Sequence, residues 1–314
     1  MSRLLALTAA VLAVAGCAGG PAAGGGQLAV PWPDAGAGLQ AVATVYPLAW
    51  TVGQVAPGAD VTQLGGGGQE PHDLELSPGD RVLLERADVV AYLGDIGFQP
   101  QIEQAVRSSG GQVVSAADVA GDRLLPVDGA EEGAGADPHL WFDPAIMADL
   151  AAAVGEAFAE ADPPGAERYA ANARALRDAF LRLDGELDAL LERCEFDQVI
   201  VSHEAYAYLL EPHGLRQEGV SGAGGHVEAS PQRVAELAAR VRAELIPAVL
   251  VEPVEGRADA EAVAAEAGVE LVELYSLDIV TDDQAAKGLL RLLLEQAQAV
   301  ARVARCAGRP GVAS

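Results

Sequence analysis

Residues 166–193 carry one uninterrupted helical pattern, and any fold open to this chain has to accommodate it. Within it Leu176, Phe180, Leu183, Leu187 and Leu190 recur every three or four residues, which puts them on one face of a helix. At about 1.5 Å per residue such a helix runs roughly 42 Å, enough to link two lobes. A chain of 314 residues exceeds what one core usually organises, so two lobes joined by this rod are the expected plan.

Both flanks of the rod alternate short β-prone runs with helical stretches. Before it, strands are expected at residues 41–46, 61–64, 89–93 and around Val113 and Val114. Helices are expected at 50–55, 78–86 and 144–160, the second opening on Ser77 as N-cap with Pro78 at the first helical position. After it, strands at 198–202, 248–251 and 270–274 alternate with helices at 205–210, 232–244, 258–267 and 285–306. Such alternation implies mostly parallel sheets flanked by helices, an α/β fold in which ligands gather beyond the carboxyl ends of the strands. The organisation expected is therefore a leader at 1–17, a flexible tether at 18–39, an α/β lobe at 40–160, a connecting helix at 161–194 and a second α/β lobe at 195–308. The site is expected in the cleft between the lobes.

The leader is read from Arg3 followed by an apolar run at residues 4–15, too short for a membrane anchor. It closes on Leu12-Ala13-Val14-Ala15-Gly16-Cys17, which resembles the lipobox of bacterial lipoproteins. That resemblance implies a lipidated Cys17 and attachment to the outer face of the cell membrane. The Gly, Ala and Pro that follow have little to bury and suit a tether. Cys194 and Cys306 are the only other cysteines, and in an exported chain they are expected to form one disulfide, two free thiols being the alternative. The formal charge of −26 repels phosphate backbones and anionic lipid, which excludes nucleic acid as a partner and gathers cations instead. Solubility alone also accounts for an acidic surface.

Three of the five histidines follow expected strands or loops, in Glu70-Pro71-His72-Asp73, Asp137-Pro138-His139-Leu140-Trp141 and Val201-Ser202-His203-Glu204-Ala205. Imidazole is a borderline ligand suited to zinc, copper, nickel and manganese, and a neighbouring proline or strand end would hold each ring in place. Singly each is an ordinary loop histidine; together they are candidate ligands of one ion.

These segments resemble the zinc and manganese solute-binding proteins of bacterial ABC importers, from about Val42 to the C-terminal helix. The matching pieces are Tyr46-Pro47-Leu48, Gly68-Gln69-Glu70-Pro71-His72-Asp73, Ala87-Asp88, residues 137–144, Tyr169-Ala170-Ala171-Asn172, Ser202-His203-Glu204-Ala205-Tyr206 and Val251-Glu252-Pro253. The resemblance implies a monomeric receptor that holds a metal with His72, His139, His203 and an acidic residue near the last strand and passes it to a membrane permease. Manganese-selective members tend to place Glu where His203 stands, so zinc is expected before manganese. Family members usually carry Asp just after the last strand, whereas this chain reads Leu274-Tyr275-Ser276-Leu277-Asp278-Ile279. Asp278 is the expected fourth ligand, with Asp282, Asp283 or a water left open. The long histidine-rich loop of many zinc receptors is replaced by a short acidic stretch at 127–136. His213 and His226 match no ligand position and read as surface or loop residues, and Glu252 as a hydrogen-bonding group in the cleft.

A closed shell of four protein ligands leaves no coordination position for substrate, which suits a carrier and not a hydrolase. A zinc-dependent hydrolase with Glu204 as general base is the competing class, but the chain has no His-Glu-x-x-His helix. A module binding a chelated or organic solute is the third.

Overall fold

The computed structural model describes residues 31–65, 74–127, 135–220, 229–253 and 256–308. The leader with Cys17, His72, much of the acidic stretch and His226 lie outside the described residues.

Each half of the chain builds one four-stranded parallel sheet. The first takes β1 (Gln40–Ala43), β2 (Asp60–Gln63), β3 (Val89–Tyr92) and β4 (Gln112–Ser115) in the order β2-β1-β3-β4. The second takes β5 (Gln198–Val201), β6 (Arg216–Gly219), β7 (Ala248–Val251) and β8 (Glu270–Glu273) in the equivalent order β6-β5-β7-β8. The first half adds helices α1 (Tyr46–Val55), α2 (Pro78–Arg86), α3 (Pro100–Val106), α4 (Ala116–Ala120) and α5 (Pro144–Ala161). The long α6 (Ala166–Leu190) follows, and the second half carries α7 (Ala207–Leu210), α8 (Pro231–Ala243), α9 (Arg257–Ala267), α10 (Asp282–Ala285) and α11 (Leu289–Val303). Among the described residues no helix is long and apolar enough to cross a membrane.

Period-two alternation divides every central strand between two cores. Ala41 and Ala43, Val89 and Ala91, Val199 and Val201, and Ala248 and Leu250 all face one continuous core shared by the two halves. Val42 and Val90 face a separate outer core under α2 and α3, and Ile200 and Val249 face another under α8 and α9. Strands buried on both faces need helices on both sides, and the Ala-rich and Val-rich composition supplies residues small enough to pack that way.

The 25 residues of α6 span about 37 Å at 1.5 Å per residue. Its buried face, Leu176, Phe180, Leu183, Leu187 and Leu190, meets α5 and α1 on one side and α11 on the other, so the rod belongs to the shared core and touches both halves. Phe180 packs edge-on to Trp50 with centroids 6.1 Å apart. Asn172, fully buried on the same helix, donates to the carbonyls of Trp32 and Val55 and accepts from Trp32 N. These bonds pin residues 31–38, which composition assigned to the tether, and Ala35 is buried as a result. Two of these hydrogen bonds reach that segment at Trp32 and outweigh its weak local propensity, and the third ties the same amide to α1.

Other departures have equally local causes. Pro47, expected to end the first strand, sits in the first turn of α1, where its missing N–H costs nothing. β6 is an edge strand of Arg, Gln, Glu and Gly with no apolar period to reveal it. The expected final helix is split by Gly288 at φ 77°, a left-handed backbone that glycine adopts without strain.

Cys194 and Cys306 form a disulfide that ties the chain just after α6 to the chain just after α11 across 112 residues. Closing so long a loop restricts the unfolded chain strongly. Replacing both cysteines with serine is expected to lower the unfolding free energy by about 2–5 kcal/mol. Urea denaturation checks this, and coincident midpoints for the variant and the oxidised wild type would contradict it.

Candidate metal centre

His203 and Asp278 lie in the loops that leave the carboxyl ends of β5 and β8, whereas His139 lies in the segment between α4 and α5 of the first half. His139 caps a short 3₁₀ turn, Leu140–Phe142, whose three side chains are fully buried and fix the turn in the shared core. Asp143 then caps α5, accepting from the N–H groups of Ala145 and Ile146. His203 follows β5 by two residues. Gly256, at φ 64°, passes so close to this strand end that a Cβ would lie 2.9 Å from the Ser202 carbonyl. Only glycine fits both that backbone and that approach.

The two imidazoles meet, although they come from opposite halves of the chain. Their centroids are 5.0 Å apart at 75°, and the rings are 3% and 5% exposed. Asp137 Oδ1 lies 2.7 Å from His139 Nδ1 and also accepts from the His139 backbone N–H at 2.9 Å. A carboxylate only accepts, so Nδ1 carries the proton and the Nε2 lone pair is the one available to a metal. Glu252 lies 3.4 Å from His203 Nδ1 through Oε2, while its Oε1 accepts from the Tyr206 hydroxyl at 2.7 Å.

Asp278, in the loop after β8, lies within electrostatic reach of His139. It is 4% exposed, and its Oδ1 accepts from Ser276 Oγ at 2.6 Å and from Ile279 N at 2.8 Å. Burial raises its pKa above the usual carboxylate range, opposed by the Ser276 bond and the nearby His139 and reinforced by the Glu252 charge. The loop is hung on the first half by two bonds. The fully buried Trp141 indole donates to the Ser276 carbonyl at 2.7 Å, and Tyr46 N donates to the Asp278 carbonyl at 3.1 Å.

Asp282 and Asp283, the other carboxylates open in the sequence, are exposed in the first turn of α10, which Thr281 caps. Tyr275 turns its hydroxyl to Glu273. His72 lies outside the described residues, and among the described residues no three His, Cys, Asp or Glu side chains close into a group that could hold an ion. Of the four expected ligands the fold brings His139 and His203 into ring contact, with the buried Asp278 in electrostatic reach of His139. His213 is more buried than its expected surface position. Its side chain is 11% exposed beside Asp188 in a cavity of about 220 Å3, where burial lowers its pKa and Asp188 opposes the shift. Sequence reasoning gave no role to Asp137, Tyr206 or Ser276. An acid two residues before a candidate ligand histidine was the one available signal, and it belongs to Asp137.

Two parallel α/β lobes, one long shared helix and a buried imidazole pair at the seam define a two-lobed binding-protein architecture. A family model described as "Zinc-uptake complex component A periplasmic" matches residues 41–303, and the chain belongs to this ZnuA family. The zinc-binding protein AdcA of Streptococcus pyogenes is 27% identical over 272 residues, covering 80% of this chain and 52% of that protein. The chain thus spans about half the length of the AdcA relatives it matches. The manganese-binding lipoprotein MntA of Halalkalibacterium halodurans is 28% identical over 212 residues, 67% of this chain and 69% of that one. Among solved structures, the Zn(II)-bound ZnuA-like domain of Streptococcus pneumoniae AdcA superposes with a TM-score of 0.72 at 26% identity, over 85% of this chain and 98% of the domain. The periplasmic zinc binding protein TroA of Treponema pallidum, at 21% identity, shares the fold with a TM-score of 0.74 over 84% of this chain and 98% of that one.

The raised Asp278 pKa has a sign that can be checked. A carboxyl whose folded pKa exceeds its unfolded value adds stability at low pH and loses it as pH rises through the folded pKa. Asp278→Asn is therefore expected to leave the metal-free protein progressively more stable than wild type as pH rises from the carboxylate range to neutrality, while weakening metal uptake. Thermal melts across that range in chelator check it; a gap that shrinks with pH would contradict it.

Proposed function

We propose that this chain is an extracytoplasmic receptor that captures a transition-metal ion, zinc before manganese, and delivers it to the permease of an ABC importer. His72, His139, His203 and Asp278 are the four ligands, three imidazoles and one carboxylate, a set that suits tetrahedral Zn2+. The observation that carries this reading is the meeting of His139 and His203 from opposite halves of the chain, with the buried Asp278 in electrostatic reach of His139. Family membership and a zinc-binding relative support it. The chain is a monomer organised as lobes at 40–160 and 195–308 joined by the helix at 161–194. Cys17 anchors it by lipid to the outer face of the cell membrane, a reading supported by relatives named as lipoproteins.

The ion is cargo, bound and released unchanged. With four protein ligands in place no position remains for a substrate or an activated water, so the chain is read as a carrier and not as an enzyme. Glu204, the general base of a hydrolase reading, instead accepts from Gly219 N at 2.7 Å. Manganese is the second reading, favoured by the manganese-binding relative.

Zinc titration against a competing chelator is expected to give one ion per chain. His72→Ala, His139→Ala and His203→Ala should each abolish tight uptake; retention by any one removes that residue from the shell. Because each imidazole must be neutral to bind, affinity is expected to fall as pH drops through about 6.5. Constant affinity between about pH 8 and about pH 5 would contradict imidazole ligation.

A further inference from the structure

The receptor reading assigns His203 as a ligand but leaves open what turns its ring to the ion. We propose that Glu252, held by Tyr206, is the positioning residue that fixes His203 for metal capture through Nε2; this rests on the receptor reading above.

Glu252 is set where β7 ends beside β5, and its backbone N–H donates to Ser202 Oγ at 2.9 Å, so its main chain is tied to the residue preceding His203. Its side chain is 7% exposed, and a buried carboxylate is tolerated only where donors meet it. Tyr206 donates to one oxygen at 2.7 Å and His203 Nδ1 stands 3.4 Å from the other. Tyr206 is itself immobilised: its ring is 1% exposed and edge-on to Phe142 at 5.2 Å, and its N–H donates to Gln217 Oε1 at 2.9 Å. Gln217 thus anchors the Tyr206 backbone, and the Tyr206 hydroxyl and His203 Nδ1 converge on the two oxygens of Glu252. A carboxylate only accepts, so Glu252 favours a proton on Nδ1, which leaves the Nε2 lone pair for a metal.

The two imidazoles differ in the length of their carboxylate contacts. His139 is gripped at 2.7 Å by Asp137 from its own segment, while the His203 contact is longer and depends on a residue from a neighbouring strand. A cation on Nε2 withdraws electron density and makes Nδ1–H a stronger donor, so loading should draw His203 and Glu252 together.

The test uses Glu252→Gln and Tyr206→Phe in the full chain, with the wild type and the double variant. Glu252→Gln is expected to weaken zinc binding by about 10- to 100-fold with one ion still bound. Tyr206→Phe should weaken it in the same direction, and the double variant should fall short of the summed effects because the two act as one unit. The visible spectrum of bound Co2+ should keep its band positions, since the coordinating atoms are unchanged. In the metal-free protein, ¹⁵N NMR should find His203 as the Nδ1–H tautomer in wild type and as a mixture in Glu252→Gln. Unchanged affinity in both single variants, or an unmoved tautomer, overturns the positioning role. A Co2+ spectrum altered by Glu252→Gln also overturns it, because Glu252 would then be a ligand itself. A wild type that takes up neither zinc nor cobalt defeats the receptor reading instead, and the metal-free tautomer still decides the role of Glu252.

Discussion

The pocket depends on how the loop after β8 is held. That loop leaves the second sheet, yet its Ser276 carbonyl is bonded by Trp141 and its Asp278 carbonyl by Tyr46, both from the first half. A neutral hydrogen bond contributes only about 0.5–1.5 kcal/mol net, but leaving a buried carbonyl unmet costs more, so the two bonds act mainly as a condition on geometry. Once they form, the Asp278 side chain has little freedom: Ser276 and Ile279 fix one oxygen, and burial excludes water from the rest. The carboxylate is thereby kept in a place that is unfavourable for its charge, which is the condition under which a dication is most welcome.

The same economy runs through the imidazoles. Each has a carboxylate behind it, Asp137 or Glu252, so the ring nitrogen facing away is the basic one. The second sheet places His203 and Glu252 at the ends of β5 and β7, and the core shared by both halves, to which α6 contributes, brings His139 of the first half against them. The Cys194–Cys306 bridge ties the chain after α6 to the chain after α11. The fine orientation of the rings is a consequence of their neighbours.

Much of this was legible in the residues. Val-rich and Ala-rich runs such as Ala248–Val251 announce buried parallel strands, because an apolar run that short is bounded by turns on both sides. The heptad-like leucines of α6 announce the rod. What stayed hidden was decided by tertiary contact. The edge strand β6 takes its conformation from β5 and not from its own polar residues, and Pro47 reads equally as a strand stop or a helix start until its neighbours are known. In the site, His139 and His203 were identifiable from their segments, whereas Tyr206 acquires its role only when β5 and β7 lie side by side and bring Glu252 against it. Asp278 was separable from Asp282 and Asp283 only by burial, a property no local pattern encodes.

The most direct test of the central claim is anomalous diffraction at the zinc edge from crystals of the loaded protein. The account predicts one peak between the lobes, about 2.0–2.2 Å from Nε2 of His139, Nε2 of His203 and an oxygen of Asp278. A peak bonded instead to Asp282 or Asp283, or one that leaves either imidazole unligated, would contradict it.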